Sequence, residues 1–203
     1  ADKKDGFTSL PTGRQSFRGI PFQILDPSRN QGRSFVVLKG SRKPAFPEAV
    51  SIPAGYLKAS QLFFLHTCRW GGTPPDVTVA EYNVIYGDGK VEVIPLRVGV
   101  ELSNFFGADD TLASSLAWWH KYKAIEMGVS LFGWRNPRPE EPIQSILFKS
   151  RGRMPVPILF AITVKVYAIT QKITPRDERI DTLLRVVTTQ RATILGAVMM
   201  LAG

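Results

Sequence analysis

Apolar and polar residues alternate in short runs along most of this chain. The runs are Phe17–Leu25, Ser34–Leu38, Ala49–Ile52, Gln61–Cys68, Val77–Tyr86, Lys90–Leu96, Val129–Trp134, Ile143–Lys149 and Pro157–Ala168. Gly, Pro, Asn and Asp punctuate them. A two-residue period places alternate side chains on opposite faces of a strand, so the pattern predicts an all-β body of the sandwich or barrel kind. Residues 1–16 read as an extended polar lead-in, and 17–170 as the sandwich.

Three segments depart from this rhythm or sharpen it. In Tyr86-Gly87-Asp88-Gly89-Lys90 an Asp-Gly pair sits between two alternating stretches, which predicts a β-hairpin. Residues 99–127 break the alternation and carry Phe105, Phe106, Trp118, Trp119, His120 and Tyr122. The spacing there predicts a short helix around Leu112–Tyr122 inside a long insertion, a usual place for a binding surface. Thr174-Pro175-Arg176-Asp177 has the capping residues of a helix start. Ile180, Leu184, Val187, Ile194, Val198 and Leu201 then follow at alternating spacings of four and three, with Arg191 out of pattern. This predicts one C-terminal amphipathic α-helix over 174–203. Each large aliphatic side chain left wet forgoes roughly 1.5–3 kcal/mol. The stripe therefore needs cover, from the sandwich itself or from a protein partner.

Charge widens the list of partners and the remaining chemistry narrows it. Lys and Arg exceed Asp and Glu by 26 to 17, a net charge of +9. Such a surface attracts polyanions. The basic residues are scattered, however, and neither zinc-finger spacing nor an RNA-recognition signature is present, so nucleic acid is not expected. The single cysteine, Cys68, excludes a disulfide within the chain. No apolar run is long enough to span a bilayer. The chain opens at Ala1 without a signal-peptide pattern, which fits a processed mature form and also a trimmed one.

Catalytic signals are sparse. His66 and Cys68 are two apart on one predicted strand, hence on one face, but that spacing is usual for packing residues. With three His and Cys residues in all, no transition-metal set is in register. No cofactor is expected. Calcium alone stays open, because carboxylates and loop carbonyls suffice for it; Asp26, Asp88, Asp109 and Asp110 are the candidates. No phosphate-cradling glycine loop and no convincing carboxylate pair are visible. The expectation is a non-catalytic protein.

The aromatics say more. Indole and phenol rings combine broad apolar area with a polar edge, which suits the apolar face of a pyranose. Trp118, Trp119, Tyr122 and Trp70 are the candidate stacking residues, with Arg135 to hold hydroxyls or carboxylates. Adjacent residues point apart, so at most one of Trp118 and Trp119 can face a ligand. Trp134 reads as core.

A set of motifs follows in order: Phe64-Leu65-His66-Thr67, Tyr82-Asn83-Val84-Ile85-Tyr86-Gly87-Asp88-Gly89, Val93-Ile94-Pro95-Leu96-Arg97-Val98-Gly99, Gly133-Trp134-Arg135-Asn136-Pro137, Ile143-Gln144-Ser145-Ile146, and Leu159-Phe160-Ala161-Ile162-Thr163. With Pro11–Phe22 and Ile24–Pro27 before them, these resemble the β-sandwich accessory domains of bacterial glycoside hydrolases and related exported proteins, of the galactose-binding-like jelly-roll group. The likeness covers roughly residues 10–165. It implies a two-sheet antiparallel jelly roll, an extracytoplasmic location (periplasmic, cell-surface or secreted) and a carbohydrate-binding or domain-packing role. It implies no catalytic residues. The C-terminal helix departs from that group. It points to an alternative, a structural subunit of a larger extracytoplasmic complex or filament, as a homo-oligomer or with other chains.

Overall fold

The computed structural model describes residues 7–167 and 191–194. In chain order the strands are β1 (Gly13–Phe17), β2 (Ile20–Ile24), β3 (Val36–Val37), β4 (Ala49–Arg69), β5 (Thr78–Tyr86), β6 (Val91–Arg97), β7 (Ser114–Tyr122), β8 (Ile125–Arg135), β9 (Pro142–Ser150), β10 (Val156–Val166) and β11 (Arg191–Ile194). Every pairing between them is antiparallel. Among the described residues the only helical turns are two 3-10 turns, Phe7–Ser9 and Pro27–Arg29.

The long strand β4 organises the molecule. Its first half pairs with β9, which leads on to β5 and β6. Its second half lies between β8 and β10. Beyond β8 comes β7, and the far side of β10 takes β3 and β11. One strand thus serves two sheets. It bends at a bulge: Pro53 faces Ser145 and Leu57 faces Ile143, while Gly55 and Tyr56 adopt φ of 64° and 58°. Bulges of this kind kink a strand and increase its twist. Pro53 and Gly55 interrupt the apolar run, which is why the sequence reads as two strands, Ala49–Ile52 and Gln61–Cys68, where the structure has one.

The main core lies between the two sheets. Ile52, Leu62 and Phe64 of β4 meet Tyr82 and Val84 of β5, Leu96 of β6, Phe148 of β9, Phe132 of β8 and Ile162 of β10. A second core covers the opposite face of the β8–β4–β10 sheet. There Leu65, Val129, Ile158 and Phe160 pack against Phe17, Phe22 and Ile24 of the β1–β2 hairpin and against Leu10. Burial on both faces explains why Val156–Val164 is an almost continuous apolar run rather than an alternating one.

Two expectations from the sequence change, and a third falls almost wholly outside the described residues. Phe17–Leu25 is not one strand: Arg18 and Gly19, at φ 52° and 78°, turn the chain between β1 and β2. Leu112–Tyr122 is not a helix. It supplies β7, an edge strand paired with β8, and its β-branch-poor but aromatic-rich sequence suits a half-buried sheet position. Of the helix expected over 174–203, the described residues are 191–194. These pair as a strand with Lys165–Ile162 of β10, on the side of β10 that also takes β3. Ile194 ends that strand. Ile180, Leu184, Val187, Val198 and Leu201 lie outside the described residues. The hairpin at Asp88-Gly89 forms as expected, with one difference. Ile85 pairs with Val91, so the loop is longer than two residues, and of its residues Gly89 takes positive φ, 81°. That is the three-residue turn closed by a glycine bulge.

Candidate functional site

The residues expected to bind sugar do not form one surface. Trp118 and Trp119 sit on β7 opposite Val129 and Gly128. Trp118 packs against the second core, with its ring stacked on His120 at 6.2 Å. Trp119, next along the strand, points to the other face and is 60% exposed. Tyr122 closes β7 opposite Ile125. Arg135 is exposed, but it lies seven residues beyond Gly128 on β8, about 23 Å along the strand. Trp70 follows β4 at φ 59° and is engaged by Arg69, whose guanidinium sits 4.9 Å from the Trp70 ring and 4.8 Å from that of Phe106. Trp134 packs against the main core.

What remains is a site around Trp119. Gly107, Ala108, Asp109, Leu116, Glu126 and Met127 join it in lining an open depression of about 380 Å³. The 99–113 loop is tied to the sheet at this end. Gly107 N–H donates to Glu126 O at 2.9 Å, and Gly128 N–H to Phe105 O at 2.9 Å. Asp110 accepts from Leu116 N–H at 2.6 Å and lies 3.8 Å from Arg18, while Asp109 accepts from Asp110 N–H at 2.8 Å. Gly128 makes the close approach achievable: a Cβ there would meet Ala108 Cβ and Leu116 Cδ1 at 2.6 Å. Trp119, the cross-strand partner of Gly128, thus presents an exposed indole beside a loop anchored by its own backbone. Sequence reasoning missed Leu116, Glu126 and the glycine. Gly128, next to the expected strand Val129–Trp134, is the available signal, since strand glycines mark close approach.

His66 and Cys68 do share a face, but it is the core. Both are fully buried. His66 Nε2 lies 2.9 Å from Glu101 O, an acceptor only, so Nε2 carries the proton; Nδ1 then accepts from Tyr82 Oη at 3.0 Å. Burial drives the imidazole pKa down to about 3, despite the opposing Glu101 contact. Burial also pushes the Cys68 thiol up to about 12, where the nucleophilic thiolate is scarce at neutral pH. Phe64 stacks on Tyr82 at 4.1 Å, and His66 lies parallel to Phe132. This is a neutral packing cluster.

The calcium candidates are spoken for in other ways. Asp88 accepts both terminal nitrogens of Arg138, at 3.2 and 2.7 Å, and those bonds hold its carboxyl at about 2. Asp26 caps the Pro27–Arg29 turn through Ser28. Among the described residues no three His, Cys, Asp or Glu side chains converge as a metal-binding group, and no helix is long and apolar enough to cross a membrane. Comparison with protein-family models, with curated proteins and with solved structures gives no match.

Proposed function

We propose that this chain is a non-catalytic carbohydrate-recognition module of an exported protein, with a galactose-binding-like jelly-roll arrangement of its two sheets. The observation that carries the reading is Trp119: a large indole, 60% exposed, on an edge strand, in a depression whose lining includes the carboxylates of Asp109 and Glu126. Leaving such a ring wet has no benefit to the fold. A pyranose laid on its face covers it, with hydroxyls directed to Asp109 and Glu126. The order of motifs along residues 10–165 supports the jelly-roll assignment, and an exported, extracytoplasmic role accompanies that resemblance.

Arg135 and Trp70 leave the proposed site, since neither lines the depression. Affinity electrophoresis through gels holding a panel of soluble polysaccharides tests the reading. At least one polysaccharide should retard the protein, and Trp119→Ala should migrate freely in the same gel. Equal retardation of Trp119→Ala, or none by any polymer, contradicts it.

A further inference from the structure

We infer that the Trp119 depression selects uncharged sugars and disfavours uronate or sulfated ones, although the molecule as a whole is basic. The inference rests on the carbohydrate reading and specifies its ligand. The ionisable side chains in the lining are Asp109 and Glu126, both carboxylates; no lysine or arginine lines the depression. Lys121, two residues from Trp119 on β7, pairs with Glu126 at 3.4 Å. The nearest arginine in the adjoining loop contacts, Arg18, faces Asp110 at 3.8 Å and donates to Leu116 O at 2.9 Å.

A carboxylate accepts hydrogen bonds and donates none. Two of them beside an indole face therefore suit a ligand rich in donors, which a neutral hexose is. An anionic group placed on the ring would meet the carboxylate of Asp109 and the negative face of the indole, while the charge of Glu126 is met in part by Lys121. The net charge of +9 acts differently. It draws polyanions to the surface at large, without geometry, and salt screens it. The two modes are separable because they depend on different residues and respond differently to ionic strength.

The test uses the full chain and three polymers, a β-glucan, a galactan and a mannan, each beside its C6-oxidised carboxylate form, at low and at high salt. Whichever neutral polymer binds should bind through Trp119 and hold its affinity at high salt. At high salt its carboxylated form should bind of order tenfold more weakly. Any retention of the carboxylated form at low salt should survive Trp119→Ala and vanish with added salt. The double variant Asp109→Asn/Glu126→Gln, checked for an unchanged circular dichroism spectrum, should narrow the gap between the two forms. Trp119-dependent, salt-resistant binding of the carboxylated polymers at equal or higher affinity overturns the inference while leaving the carbohydrate reading intact. Failure of all six polymers to bind removes both. If the double variant does not fold, the comparison of matched polymers on the unmodified protein still decides the matter.

Discussion

At the scale of single residues, burial decides what the ionisable groups can do. His66 is the clearest case. Its folded pKa, about 3, lies below the ordinary value of 6.5. The unfolded chain therefore binds a proton that the folded chain refuses. The stability tied to this histidine is complete above about pH 6.5 and is lost as pH falls toward 3. The limiting slope for one group is about 1.4 kcal/mol per pH unit. Urea unfolding at pH 7.5, 6, 5 and 4 should show that decline beginning near pH 6.5. His66→Phe should lower stability at neutral pH, because Tyr82 Oη and Glu101 O lose a partner, at a cost of about 1–3 kcal/mol each. The same variant should flatten the decline between pH 6.5 and 5. An unchanged slope in His66→Phe would place the acid sensitivity elsewhere.

Gly128 makes a second point at this scale. Its hydrogen faces Ala108 Cβ, Leu116 Cδ1 and the Trp118 carbonyl, so an added methyl forces the loop or β7 to shift. Gly128→Ala should cost about 1–3 kcal/mol by overpacking. It should also weaken glycan retention, since Trp119 is its cross-strand partner. Thermal unfolding alongside affinity electrophoresis reads both effects.

At the scale of elements, the strands legible in the sequence were those with one buried face. β6 and the ends of β5 and β9 toward Tyr86 and Ser150 alternate, and the expected and observed limits of these strands differ by one residue. The pattern failed where the local signal was ambiguous. β4 was split because Pro53 and Gly55 look like a turn when they are a bulge. β7 was read as a helix because two adjacent tryptophans obscure a period of two; a register shift between Leu116 and Trp118 further disturbs it. The same shift settles which indole faces out, and no sequence pattern reveals it. Arg135 joins the tryptophans by residue chemistry alone, and separation along a strand is invisible until the register is known.

That Asn136 turn is itself a structural lock. Asn136 Oδ1 accepts from Tyr86 Oη at 2.5 Å and from Arg138 N–H at 2.9 Å, and its Nδ2 donates to Ala59 O at 2.7 Å. Arg138, over the Tyr86 ring at 4.5 Å, then grips Asp88 of the β5–β6 turn. Asn136 therefore joins β4, β5 and the loop after β8. Asn136→Ala should destabilise by about 2–3 kcal/mol and leave sugar binding intact in the folded fraction. Chemical denaturation and affinity electrophoresis on one preparation separate the two readouts.

At the scale of the molecule, a sheet covered on both faces is the main consequence of the fold. The β1–β2 hairpin closes the outer side of β8, β4 and β10, and β7 lies at the free edge of that sheet, where Trp119 protrudes. The anchored 99–113 loop borders the same depression. The account stands most directly on one measurement. The four tryptophan side-chain N–H signals are followed in a nitrogen–proton correlation spectrum while a neutral oligosaccharide from the retained polymer is titrated in. Trp119→Phe assigns its signal. The account predicts that the Trp119 resonance moves most and saturates, with Trp134 and Trp70 unmoved. A saturating shift centred on Trp70 or Trp134, with Trp119 still, would contradict it.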